Sequence, residues 1–366
     1  MKDLIWLVVL YENQIKSILG VFLKRHGNLW NKIIEYDNLY SAYIAASKGK
    51  HKRAAVIEFE KNVEENLKKI QTLLVSGQYT TSQYTNKTIY IPKERTIYKL
   101  PFAPDRIVQH ALLQILIPIW DKMMIHDSYS CRKGKGIHKA SKKVSKYVKQ
   151  YKYCLKTDIS KFYPSINHDT LLFIIKKKIK CKHTLILIED IIRSFPGDCN
   201  IPIGNYTSQW FGNLYLNELD QYIKHTFRVK PYIRYSDDIV IFSNCKRHLK
   251  TIKDSIESFL CGIKLKFSKW CIIPVASGVD FVGYKHHSNM IFLRRSTCRR
   301  VIRRLVLFKI QSHNKFFNYT KCAGSLCSSI GWLSWATHIN KYILKLINDL
   351  IGAINERVPK IHKHKG

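Results

Sequence analysis

A chain of 366 residues with 46% hydrophobic content can bury cores in two or three subdomains, which excludes an intrinsically disordered protein. Lysine and arginine outnumber aspartate and glutamate 62 to 26, a formal charge of +36. Repulsion on this scale opposes folding unless a polyanion is bound, so nucleic acid is the natural partner, held in a strongly salt-dependent way. A ribosomal-type RNA binder or a polybasic membrane-surface protein would share the charge but not the ordered carboxylates described below. None of the ten cysteines forms a Cys-x-x-Cys pair, and Cys322 and Cys327 lack the matching second pair of a zinc site. Reduced thiols fit a cytoplasmic compartment.

Residues 4–10 (Leu-Ile-Trp-Leu-Val-Val-Leu) are apolar but too short to cross a membrane, and no small-residue cleavage site follows. They read as a buried or partner-facing helix, or as an extension upstream of the real start. Ile33, Ile34, Tyr36, Leu39, Tyr40 and Tyr43 recur at helical spacing, as do Phe59, Val63, Leu67, Ile70, Leu73 and Leu74 beyond a basic break at 47–53. Ser76-Gly77 stops the second pattern. Residues 87–100 alternate like a hairpin with Lys93 and Arg95 at its turn, which by itself is an ordinary solvated basic turn. The segment from Pro101 opens a long apolar helix to about Trp120, with Asp105 and Arg106 either capping it or contacting a template. A Gly-rich basic loop, Ser128 to Ala140, includes Arg132, Lys133 and Lys135 and suits backbone phosphate, although its spacing is not that of a Walker A loop.

Lys152 to Ile166 is a strand pattern running into a turn, with Asp158 at the strand's end. Helices rich in Ile, Leu and Lys fill 168–195. In Ile201 to Asn213, Gly204 permits close backbone approach and a helix starts near Ser208. Next comes Ile233-Arg234-Tyr235-Ser236-Asp237-Asp238-Ile239-Val240-Ile241-Phe242, two adjacent carboxylates inside a β-branched run. Neighbouring anions resist burial unless a cation neutralises them, and a hairpin tip holding a divalent metal meets both demands. The plainer reading is a polar hairpin tip. Asp158 supplies the third carboxylate that two-metal nucleotidyl transfer requires for cations about 3.5–4 Å apart. Asp158 and Asp237 are the bridging candidates, with Asp238 a weaker ligand or a tuner of the field. Further on, Leu249 to Leu260 is amphipathic and Gly262 to Trp270 reads as a strand carrying Lys269. Residues 296–311 and 325–352 are helical, with Arg299, Arg300, Arg303 and Arg304 on a basic stripe. Trp332 and Trp335 read as core of this helical region, and Lys360 onward as a basic tail.

The Asp158 strand, the Tyr-x-Asp-Asp hairpin and the segments between them resemble the palm of a reverse transcriptase. In retroviral-type enzymes a Gln precedes the glycine that is Gly204 here, and Ser-Pro follows; Ile203 stands in place of that Gln and Gln209 in place of the Pro. The pattern Ile-Gly-x-x-x-Ser-Gln is similar to that of diversity-generating retroelement reverse transcriptases, among the group II intron-like bacterial enzymes. The Asn28-Leu29-Trp30 opening, the run from Asp105 to Leu112, the Gly-rich loop and Lys161 to Ile166 resemble the same family. The resemblance covers roughly residues 26–340.

It implies an α/β (α+β) right-hand polymerase: an N-terminal helical extension (1–86), fingers and palm with an antiparallel sheet (87–290, fingers about 87–150 and 168–205), a small helical thumb (291–352) and a basic tail (353–366). It implies RNA-templated DNA synthesis with two Mg²⁺ ions, Mn²⁺ being a substitute, on Asp158, Ile159, Asp237 and Asp238. Lys93 and Arg95 would grip the triphosphate, and Lys269 would protonate the pyrophosphate leaving group, with phosphate contact as its plainer role. Tyr163 would block a ribose 2′-hydroxyl, unless it is an aromatic core residue. Ile203, Gly204, Ser208 and Gln209 would line the nascent pair. Arg106, Arg132, Lys133, Lys135, Phe281, Gly283 and Tyr284 would contact primer or template, the last three within Val279 to Tyr284, which resembles the hairpin that grips the primer end. Partners would be template RNA, the RNA/DNA hybrid, dNTPs and a small basic helical accessory protein, often oligomeric; no membrane is involved. The expected task is error-prone copying at template adenines; the alternatives are a bacterial antiphage-defence reverse transcriptase and a non-catalytic RNA-binding scaffold.

Overall fold

The structure, a computed structural model, describes residues 25–90, 94–311, 319–339 and 341–357. The apolar run 4–10, Lys93 and the tail from Lys360 lie outside the described residues. The chain forms two compact units, each assembled from three stretches: 25–133, Thr157–Lys230 and Lys250–Trp270 in the first; Gly134–Lys156, Pro231–Leu249 and 271–357 in the second. Helices and antiparallel strand pairs build both, the α/β polymerase-like class expected. No helix among the described residues is long and apolar enough to cross a membrane. All ten cysteines are free thiols, and of the Cys322/Cys327 pair one is buried and the other exposed.

In the first unit, helix Tyr36–Ser47 buries its small residues Ala42 and Ala46 beside helix Ile107–Asp121, whose Ile107, Val108, Ala111 and Leu112 are fully buried. Small side chains let the two backbones approach, and the Asn38 amide crosses the gap to donate to the Ala111 carbonyl at 3.1 Å. The long helix starts not at Pro101 but after a π-turn, Phe102–Arg106. Asp105 does not cap it: fully buried, its Oδ1 accepts from the Tyr79 hydroxyl (3.1 Å) and the Ser82 amide (3.0 Å), tying the entering chain to this turn. The expected hairpin pairs β1 (Thr85–Ile89) with β2 (Arg95–Lys99), and Ile89 faces Arg95 across the ladder. Arg95 is therefore the exposed first residue of β2 rather than part of the turn. Rings of Tyr84, Tyr98 and Phe195 pack edge to face and seat the hairpin beside helix Lys182–Arg193. Helix Tyr206–His225 starts two residues before Ser208 and is buried on most sides.

The second unit holds a four-stranded sheet ordered β4-β5-β3-β6, where β3 is Tyr153–Ile159, β4 Tyr232–Tyr235, β5 Asp238–Ser243 and β6 Phe267–Pro274. Of β3 and β6, residues 153–156 and 271–274 belong to this unit. Cys154, Leu155, Tyr232, Ile233 and the 239–242 run of β5 are buried, so the β-branched stretch read from sequence is a buried strand pair, β4 at the edge of the sheet and β5 inside it. A three-stranded antiparallel sheet follows: β7 (Val279–Phe281), β8 (Tyr284–His286) and β9 (Ile291–Leu293). The helical region at the end has three helices, not two: Arg295–Gln311, Tyr319–Leu333 and Lys341–Arg357. Their apolar faces meet through Leu305, Cys322, Leu326, Ile343 and Leu350.

Candidate active site

A cavity of about 520 Å³ opens in the first unit, and Tyr163, Ile203, Gly204, Ser208 and Gln209 all line it. The sequence pattern thus brings five of its nucleotide-side residues to one cavity. Local conformation explains how. Gly204 has φ +130°, and a Cβ there would collide with the Tyr98 carbonyl oxygen and lie 3.2 Å from Ile97 Cγ2. Only glycine lets this loop press against β2, and the approach is fixed by the Tyr98 amide donating to the Ile203 carbonyl at 2.8 Å. Tyr163 reaches the cavity from the short helix Phe162–Ser165, which follows the left-handed Lys161 (φ +41°). Its ring lies over Gly212, where an added Cβ would be 3.2 Å from the ring edge. Ser208 lines the cavity while its buried hydroxyl donates to the Pro202 carbonyl at 2.7 Å and braces the loop.

The carboxylates stand where hairpin and strand geometry puts them. In the second unit Tyr235 pairs with Asp238, leaving Ser236-Asp237 as a two-residue turn with Ser236 left-handed at φ +55°. Such turns match strand twist, and this one holds Asp237 at the tip and Asp238 at the first position of β5, both half-buried. Below them Arg234 is fully buried and donates to the Ser236 carbonyl at 3.2 Å, putting a guanidinium beside the turn. In the first unit Asp158 is half-buried near the end of β3, followed by buried Ile159, and its Oδ2 accepts from the Ser268 hydroxyl at 2.8 Å. Lys269, next to Ser268, is exposed. Among the described residues no group of three His, Cys, Asp or Glu side chains forms a ready-made metal centre. The donors are carboxylate oxygens without thiolate or imidazole, a set that fits a hard divalent cation and not zinc.

Several expected primer or template contacts are turned inward. Arg132 donates from Nε to Asp121 (2.5 Å) and from its other nitrogens to the carbonyls of Ile125, Ser128 and Asp121. The guanidinium that was to meet phosphate instead clamps its own loop, while Lys133 stays exposed and Lys135 half-buried. Phe281 and Tyr284 are fully buried. The Tyr284 hydroxyl donates to the Trp332 carbonyl at 3.0 Å and meets His138 Nε2 at 3.2 Å. Gly283 (φ +88°) leaves room for the Trp332 ring, which a Cβ would meet at 2.7 Å. This hairpin is thus held by side chains of its own unit. Trp335 stacks on His138 at 5.2 Å and donates to the Ser141 hydroxyl at 2.7 Å, so it is packed within this unit, against the helix Ile137–Val148.

Sequence reasoning missed Lys50, Gln109, His110, Asn205 and Tyr206, which line the same cavity. Gln109 and His110 follow Arg106 on one helix, and Tyr206 sits between Gly204 and Ser208, so their nearness to named residues was the available signal; Lys50 offered none.

Residues 87–286 match the family model for reverse transcriptase (RNA-dependent DNA polymerase), more than half of the chain. The chain belongs to the reverse transcriptase family and is an RNA-directed DNA polymerase, a nucleotidyltransferase that works on nucleic-acid templates and nucleotide substrates. It is 24% identical over 263 residues to Protein YkfC of Escherichia coli, covering 58% of this chain and 68% of that protein. It is 27% identical over 250 residues to the Retron Ec73 reverse transcriptase of Escherichia coli, covering 62% and 77%. It is 26% identical over 202 residues to the group II intron-encoded protein LtrA of Lactococcus lactis, covering 52% of this chain and 33% of that protein.

Proposed function

We propose that this reverse transcriptase copies a template RNA with low fidelity at adenines, as part of a diversity-generating retroelement. The observation that carries the reading is Ile203, an aliphatic side chain on the cavity wall beside Tyr163 and Gln209, where retroviral-type enzymes place an amide. An amide can donate to and accept from the incoming sugar and the nascent pair; an aliphatic group offers only shape and dispersion contacts. The similarity to a retron reverse transcriptase favours a second reading, a bacterial antiphage-defence enzyme with the same palm. Gene context separates the two: a repeat pair differing at adenines beside a frame for a small basic accessory protein supports diversification, and its absence supports defence.

In the proposed mechanism Asp158, Asp237, Asp238 and the Ile159 carbonyl are the oxygen ligands that would hold two Mg²⁺ ions. Bound there, such ions would supply charge neutralisation for the phosphates and would lower the pKa of the primer 3′-hydroxyl that attacks the α-phosphorus of a dNTP, with pyrophosphate leaving. Tyr163 fills the space a ribose 2′-hydroxyl would need. Arg95 and Lys93 place positive charge against the β- and γ-phosphates. Lys269 Nζ gives a proton to the departing pyrophosphate oxygen. The domain division into fingers, palm and helical thumb, and a cytoplasmic setting, are part of the same proposal. The test is Asp237→Ala with Asp238→Ala: metal-dependent dNTP incorporation falls to background, while RNA affinity stays within about twofold because the basic surface is untouched. Near-normal primer extension by the double variant would refute the assignment of the carboxylates.

A further inference from the structure

The cavity carries a second set of groups that these roles leave unused. Lys50 and Arg106 both line it, while among the described residues no aspartate or glutamate does. The neighbouring Asp105 does not line it; its Oδ1 accepts from the Tyr79 hydroxyl and the Ser82 amide. Lys50 Nζ donates to the Ala46 carbonyl at 2.6 Å and Arg106 Nε to the Leu100 carbonyl at 3.4 Å, neutral partners that cancel no charge. Burial, then the charges of Arg106 and Arg53, lower the Lys50 pKa, and burial followed by Arg53 lowers that of Arg106. Cations gathered in a half-buried cavity without a counter-charge repel one another, and an anion seated among them reverses that cost.

Beside the cations lies a flat aromatic surface. The rings of His110 and Tyr206 stack at 4.3 Å with 21° between their planes, and Tyr206 is 38% exposed. Gln109 Oε1 accepts from the Tyr206 amide at 3.2 Å, which fixes the start of that helix against the helix carrying His110. Burial first, then Lys50 and Arg106, push the His110 pKa down to about 4. At neutral pH the imidazole is uncharged, a stacking surface rather than a third cation.

We propose that Lys50 and Arg106 bind a backbone phosphate of the template strand, with the adjoining template base stacked on the Tyr206–His110 pair. A cationic groove beside an aromatic face is how proteins hold single-stranded nucleic acid. The inference rests on the reading of Tyr163, Ile203 and Gln209 as the side that meets the incoming nucleotide. That set carries no cation, so the strand that pairs with the incoming nucleotide needs its phosphate held by other residues of the cavity. The phosphate could also belong to the incoming nucleotide, so the measurements separate the two sources.

The experiment uses the full chain with a labelled RNA template annealed to a DNA primer. Lys50→Gln weakens template–primer binding roughly tenfold, the scale of one charge-assisted hydrogen bond. It also lowers the slope of log Kd against log salt by about 0.7–0.9, the signature of one lost phosphate contact, whereas Lys50→Arg restores both. Tyr206→Leu weakens binding without changing the slope, and Tyr206→Phe binds as the parent does. An unchanged slope in a Lys50→Gln variant that melts like the parent overturns the proposal. So does a rise in the dNTP KM with template affinity intact, which would hand the cations to the triphosphate. Sugar discrimination by Tyr163→Ala is scored separately, so failure of the nucleotide-side reading is visible even where the salt slope drops. If Lys50→Gln does not fold, the His110 imidazole titration in the parent protein decides. A phosphate between Lys50 and Arg106 relieves repulsion on the ring, so its pKa rises when template–primer binds; no rise overturns the site.

Discussion

Ile203→Gln should make the enzyme more accurate opposite template adenine. The substitution disturbs little of the loop. Ile203 is held through its backbone, whose carbonyl accepts from the Tyr98 amide at 2.8 Å, and its half-buried side chain faces a cavity of about 520 Å³. A glutamine of similar bulk can therefore extend beside Tyr163 and Gln209 without moving Gly204, whose approach to Tyr98 leaves no slack. One added polar contact to a correct pair is worth about 0.5–1.5 kcal/mol net, because the amide gives up water to make it. That converts to about two- to tenfold better discrimination, too little to abolish mutagenesis and enough to measure. The assay is deep sequencing of complementary DNA made on a defined RNA template, with any accessory protein present. Unchanged adenine errors in a variant that still synthesises DNA would make Ile203 a packing residue and refute the fidelity argument.

Tyr163→Ala should admit ribonucleotides, since the ring held against Gly212 supplies a steric barrier; single-turnover incorporation of dNTP and rNTP measures it, and an unchanged preference returns Tyr163 to the core. Gly204→Ala should strain the backbone by about 1–3 kcal/mol and cost about 1 kcal/mol more through the Tyr98–Ile203 hydrogen bond, so the dNTP KM rises at least tenfold and amide exchange at Tyr98 accelerates. In the second unit, His286 Nδ1–H donates to the Val279 carbonyl at 3.1 Å, so its Nε2 accepts from the Ser141 hydroxyl at 2.7 Å. Burial holds this ring down to about 4 against an ordinary 6.5. The unfolded chain binds the proton that the fold refuses, so stability falls as pH drops from about 6.5 towards 4. Urea midpoints across that range should fall less steeply for His286→Gln, and identical slopes would refute the linkage.

The sequence alone determined the chemistry and the local geometry that serves it. Asp237-Asp238 inside a β-branched run has one comfortable solution, a tight hairpin, because carboxylates leave a buried strand only at its turn. The Gly204 loop was legible for the same local reason, a positive backbone angle that few side chains tolerate. What the sequence left open was which polar side chains face a ligand. Arg132 looked like a phosphate contact because its neighbours are glycines and lysines, yet Asp121 and three carbonyls claim its guanidinium. Phe281, Tyr284 and Ser208 follow the family pattern in order but are buried or hydrogen-bonded within their own units. Conversely, Lys50 is one lysine among many in a basic chain until helix packing sets it beside Arg106, His110 and Tyr206. Residue type and spacing fix backbone conformation over a few positions. Whether an arginine meets phosphate or a carbonyl depends on groups tens of residues away, and only tertiary packing decides which of them arrive.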